Sequence, residues 1–299
     1  MKSFKKFLLL AFLSLFLVAS CKKEGTGNLE LRLNNLPNIA DGVFMYEGWL
    51  IVDYQPVSIG QFRADDINDT DGESLLLFDV DKKILKQATS FMLTIEKTSD
   101  LVAGPNQVKF LAGDFKENTV ELTTNHPNGI GIDLSKVGGE FWIGTPTDNS
   151  LETNEVSGIW FYYPGGMNQP LLSLPELNNN WTYEATVRNC GLRLPIGKFT
   201  KARGADDRNN FGDINFAPLF PGEDFISTLD EDILGYYNFP LNLSNYYVNI
   251  SISPKRGDNF QNAITILSAQ IPETAEAHGF YSLTNRPAED FQYGTVTRN

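Results

Sequence analysis

Tyr46-Glu47-Gly48-Trp49-Leu50-Ile51-Val52 leads to Ile59-Gly60-Gln61-Phe62, and Tyr183-Glu184-Ala185-Thr186-Val187-Arg188 leads to Ile196-Gly197-Lys198-Phe199. The two tyrosines and the two closing phenylalanines share one offset, 137 positions. A Leu-Pro pair precedes each copy, at Leu36-Pro37 and Leu174-Pro175, and an acidic turn follows each, at Asp65-Asp66 and Asp206-Asp207. Later stretches correspond at an offset of about 157: Leu93-Thr94-Ile95 with Ile250-Ser251-Ile252, and Val108 to Ala112 with Ile264 to Ser268. The change in offset places an insertion of about twenty residues in the second copy, within 203–234. Two long copies imply two related domains, whereas a solenoid stacks three or more short repeats.

The repeated stretches have the period of strands. Phe91-Met92-Leu93-Thr94-Ile95-Glu96 and Val248-Asn249-Ile250-Ser251-Ile252-Ser253 set apolar residues at every second position, as a strand with one face in a core does. Similar runs recur from Val43 to Ile271, separated by Gly, Pro, Asn and Asp. Val80 to Thr89 is the one clear helical stretch, with Lys82, Lys83 and Lys86 on its wet side. The expected fold class is all-β, two related β-sandwich domains in tandem, at 29–136 and 137–299.

Composition narrows the function. The chain has 299 residues, 41% hydrophobic and 12% aromatic, enough for a packed core. Its net charge of -13 argues against nucleic acid, which calls for basic surface. Two Cys and two His leave little material for a zinc site, a disulfide scaffold or a His-based triad. There is no Gly-x-Ser-x-Gly elbow, His-Glu-x-x-His, P-loop or Gly-x-Gly-x-x-Gly. His126 and His278 both fall in turn-like stretches. The expectation is a non-enzyme, although 37 acidic residues leave a two-carboxylate glycosidase open.

The first twenty residues read as an address. Lys2, Lys5 and Lys6 precede an apolar run from Phe7 to Val18, too short to span a bilayer and suited to a signal peptide. Leu17-Val18-Ala19-Ser20-Cys21 resembles the bacterial lipobox, which implies acylation of Cys21 and a membrane partner through the acyl anchor. The expected order is a signal peptide at 1–20 and a tether at 21–28, then the two domains. Lys22 is not the Asp that retains lipoproteins at the inner membrane, so the resemblance implies the outer membrane, with either face open. Cys190 would then be the sole free thiol, expected to be structural beside a strand.

Tyr46-Glu47-Gly48-Trp49-Leu50, Pro56-Val57-Ser58-Ile59-Gly60-Gln61-Phe62 and Leu93-Thr94-Ile95-Glu96 resemble the extracytoplasmic C-terminal domain of anti-sigma-K factors. That family's hallmarks are a Tyr-x-x-Trp-Leu strand, a Pro-x-x-x-Gly-x-Phe hairpin and a Thr-x-Glu strand. The resemblance implies a small β-sandwich and a sensing or partner-binding role. The second copy is divergent, with Thr186 where the Trp stands. A lipoprotein signal replaces the family's cytoplasmic sigma-binding domain and membrane span, so direct sigma binding is not implied.

Two residue groups are candidate sites. Asp65, Asp66, Asn68, Asp69 and Asp71, with Asp206, Asp207, Asn209 and Asp213, lie in Asp/Asn/Gly loops of the kind calcium favours, or form solvated turns. Trp160, Tyr162 and Tyr163, in a run of four aromatics, could stack on a sugar, or the alternating members could be core. The partner classes left open are an envelope protein, a glycan, or none in a structural envelope protein.

Overall fold

The computed structural model describes residues 25–34, 36–37, 39, 43–64, 73–98, 104–148, 155–165, 169–213, 217–228, 230–255, 264–286 and 294–299. The expected signal peptide, Cys21 and the first acidic turn (Asp65, Asp66, Asn68, Asp69, Asp71) lie outside the described residues.

The first part of the chain forms β1 (Thr26–Asn34), β2 (Phe44–Val52), β3 (Gln55–Phe62), β4 (Glu73–Asp81), β5 (Ser90–Lys97), β6 (Lys109–Lys116) and β7 (Thr119–Glu121). The second part adds β8 (Gly138–Ile143), β9 (Gly158–Trp160), β10 (Tyr162–Tyr163), β11 (Gln169–Pro170) and β12 (Leu172–Ser173). It continues with β13 (Trp181–Asn189), β14 (Leu192–Phe199), β15 (Gly222–Asp224), β16 (Tyr247–Pro254), β17 (Ile264–Gln270), β18 (Phe280–Asn285) and β19 (Thr295–Arg298). The fold is all-β, with two large antiparallel sheets forming two β-sandwich-like domains.

The repeat holds down to the pairing register. In the β2–β3 hairpin Tyr46 faces Phe62 and Gly48 faces Gly60, and a bulge falls between Gly48 and Trp49. In β13–β14 Tyr183 faces Phe199 and Ala185 faces Gly197, and the bulge falls between Ala185 and Thr186. Both hairpins turn in two residues of positive φ, Asp53 and Tyr54 in one, Cys190 and Gly191 in the other. That backbone suits the right-handed twist of the flanking strands. Bulges recur in the next strand pair too, between Leu93 and Thr94 and between Ile250 and Ser251. The Leu-Pro pairs also have a shared role. The Tyr46 hydroxyl donates to the Pro37 carbonyl at 2.7 Å, and Tyr183 donates to Pro175 at 2.6 Å.

The first sheet runs β3-β2-β5-β6-β7-β19-β1-β4, and the second β14-β13-β16-β17-β18-β8-β9-β15, with β12 on β8. Each curls until its ends approach. Phe62 of β3 and Phe78 of β4 come within 6.2 Å between ring centroids. In the second sheet the inserted loop closes the same gap.

Three expectations need correction. The second domain does not keep the whole of 137–299, because β19 pairs with β7 and β1 of the first sheet. Thr26, Gly27 and Asn28 are not tether but the start of β1, paired with Asp81, Val80 and Asp79. Cys190 is not a packed structural thiol but an exposed turn residue. The helical stretch holds as α1 (Lys82–Gln87). Asp81 caps it by accepting from the Lys83 and Ile84 backbone N–H groups.

The core is continuous across the two copies. Tyr46, Leu93 and Phe110 belong to the same buried cluster as Trp181, Tyr183 and Ile252. Phe110 and Trp181 meet directly, with ring centroids 6.5 Å apart. Trp49 lies apart from this core. It packs with Met92 and Ala112 on the opposite face of the first sheet, and its indole N–H donates to Thr94 at 2.9 Å. Thr94 in turn donates to the buried Glu96, which also accepts from the Asn106 N–H. The second copy has Thr186, Ser251 and Ser253 at these three positions, and the Ser253 hydroxyl is buried without a partner. The second copy thus lacks both the Trp and its polar chain.

Candidate functional site

The inserted loop brings four carboxylates under the second sheet's seam. Asp206 accepts from the backbone N–H of Gly222 in β15 at 2.9 Å, and Asp207 accepts from Lys198 in β14 at 2.6 Å. The two adjacent residues thus fasten the two ends of the curled sheet. Glu223 accepts from Asn210 at 2.7 Å and from Gly212 at 3.1 Å. Asp224 accepts from the Thr147 backbone N–H at 2.7 Å, from the Thr147 hydroxyl and from the Trp160 indole N–H.

Burial dominates the electrostatics here. It pushes Glu223 up to about 8, with the neighbouring Asp206 and Asp224 charges adding to the rise. Asp206 and Asp224 are each pushed up to about 6, also by burial, against the N–H groups that favour the charged form. Among the described residues no group of three or more His, Cys, Asp or Glu side chains could hold a metal ion. In the second acidic turn the role of the carboxylates is structural. Asp206 and Asp207 accept from the backbone N–H groups of Gly222 and Lys198, which ties the turn to β15 and β14.

Next to this staple an aromatic row crosses the outer face of the second sheet. Phe280 faces Trp142, Trp142 faces Trp160, and Trp160 faces Gly222. A Cβ at Gly222 would sit 2.3 Å from the Trp160 ring, so glycine is what lets the indole lie flat over β15. Tyr162 meets both tryptophans edge-on, at 5.8 and 6.0 Å, and stacks on Phe220 at 5.1 Å. Burial and the Asp224 charge push the Tyr162 hydroxyl up to about 12.

This packing corrects part of the stacking expectation. Trp160 is 1% exposed and Tyr162 6%, so both are core of a second apolar cluster and show no face to a ligand. Tyr163 is 48% exposed and stacks on Phe280 at 5.5 Å. Phe280 was not a sequence candidate, because only the fold brings β18 beside the 160–163 run. Glu223 and Asp224 lay inside a legible insertion, but nothing local marks a carboxylate as buried.

No protein-family model, no curated protein and no solved structure matches this chain.

Proposed function

We infer that this chain is a non-catalytic, lipid-anchored protein of the cell envelope that works by recognition. The observation that carries the non-catalytic half is the fate of the perturbed carboxylates. Buried acids with shifted pKa values are where acid–base chemistry is first sought. Here Asp206, Glu223 and Asp224 are each saturated by loop N–H groups, an indole or a hydroxyl, and they brace the insertion. The envelope half rests on Leu17-Val18-Ala19-Ser20-Cys21. The anti-sigma-K-like motifs favour a partner-binding role by analogy alone.

Three measurements test this reading. Cells fed an alkyne fatty acid should label the wild-type protein and not Cys21→Ala; equal labelling of both would overturn the anchor. Cross-linking on intact cells should trap one defined neighbour with the wild type. Turnover in a glycosidase substrate panel, lost in Glu223→Gln, would overturn the non-catalytic half.

A further inference from the structure

We propose that the Tyr163–Phe280 ring stack offers an open aromatic face to a neutral pyranose unit of a glycan, which names the ligand class for the recognition reading above and rests on it. The two rings lie within 23° of parallel at 5.5 Å, and they remain 48% and 42% exposed.

The surroundings choose between a sugar and an apolar protein surface. The other exposed residues of β8 and β18 are Glu140, Ser282 and Thr284, all polar. Ser282 faces Glu140 two positions along from the Phe280–Trp142 pair, so both lie on the same face as Phe280. The Ser282 hydroxyl donates to the Glu140 carboxylate at 3.1 Å. A pyranose has one C–H-rich face and a rim of hydroxyls. An aromatic face takes the first, and a carboxylate beside a hydroxyl takes the second. A protein-docking patch would extend the apolar area along these strands, and the described exposed neighbours of Phe280 on β8 and β18 are polar instead.

The platform is also held in place. A Cβ at Gly165 would fall 2.5 Å from the Tyr163 ring, so the residue that fixes this ring's position has no side chain. Behind Phe280 the row continues into Trp142 and Trp160, both buried. A rigid platform loses little freedom on binding. The Glu140 carboxylate and the net charge of -13 disfavour uronic acids, which is why the ligand is neutral.

The test uses the full-length protein in detergent micelles, run through native gels containing xyloglucan, galactomannan, laminarin, pullulan, alginate or polygalacturonate. At least one of the four neutral polysaccharides should retard the wild type, and neither acidic one should. Tyr163→Ala and Phe280→Ala should each weaken that retardation by about tenfold or more, with an unchanged melting temperature. Tyr163→Phe should keep most of it, since the ring face does the binding. No retardation by any neutral polysaccharide overturns the proposal, as does retardation by the acidic ones alone or retardation equal in the alanine variants. If the cell-surface cross-link persists in a Tyr163→Ala/Phe280→Ala chain that binds no polysaccharide in wild-type form, recognition stands and the glycan assignment falls.

Discussion

At the scale of single residues, the two copies repeat an interaction as well as a pattern. Tyr46 and Tyr183 are both fully buried, and each hydroxyl donates to a proline carbonyl just before its hairpin. Burial pushes both phenols well above the usual tyrosine range, so both remain donors at any working pH. Tyr46→Phe and Tyr183→Phe should each cost about 1–2 kcal/mol in urea unfolding, because a half-buried proline carbonyl loses its donor. A negligible loss in one copy alone would show that the shared contact is incidental there. Glu223 gives the opposite sign of effect. Its folded pKa of about 8 lies above the ordinary carboxylate value, so the folded chain holds a proton that the unfolded chain releases. The contribution is fully present below about pH 4 and is lost as pH rises toward 8, with Asp206 and Asp224 acting between about 4 and 6. The melting temperature should therefore fall from pH 5 to pH 8, and Glu223→Gln should flatten that slope. An equally steep slope in the variant would mean that Glu223 is charged in the fold. None of this was legible beforehand, since Phe220-Pro221-Gly222-Glu223-Asp224-Phe225 has the composition of an exposed turn.

Elements were legible in proportion to how local their causes are. The hairpins β2–β3 and β13–β14 could be found because strand, two-residue turn and strand are contiguous, and α1 because its three lysines fall on one side of a short stretch. The strand β19 could not. Thr295-Val296-Thr297-Arg298 is four residues whose pairing partners lie far back in the chain, at Val120 and Leu31. Its anchor is equally remote. Arg298 donates to the Leu85 carbonyl at 2.7 Å, to Ala88 at 2.9 Å and to Glu117 at 2.6 Å, and its guanidinium lies 4.3 Å from the Phe115 ring centre. Three carbonyls from a helix end and a turn meet one planar fork, a geometry that an ammonium on a flexible stem does not reproduce. Arg298→Ala should cost about 2–3 kcal/mol, and Arg298→Lys should recover less than half of it. Full recovery by lysine would show that charge alone holds β19.

For the whole molecule the consequence is that the tandem copies do not stand apart. The repeat predicts two domains joined end to end, yet the chain's last strand sits between β7 and β1 of the first. The same apolar cluster runs through both copies, with Phe110 of one against Trp181 of the other. Asn285, at the end of β18, donates to the carbonyls of Ser135 and Val137 in the link between the copies. A chain ending at Val137 would lack β19 and would expose the Phe110 side of its core. It should give the poorly dispersed amide spectrum of an unfolded or molten chain, although repeat logic alone would let it fold. The sharper case is a chain ending at Arg286, which keeps every strand of the second sheet and removes only β19. Losing β19 strips backbone partners from β1 and β7, and hydrogen exchange opens first where the ladder is incomplete. Amides of β1 and β7 should then exchange at least about tenfold faster, while those of β13 and β16 stay close to wild type. Equal acceleration in both sheets would mean that the shared core makes the molecule one cooperative unit. Unchanged exchange in β1 and β7 would mean that β19 only decorates a sheet already complete without it.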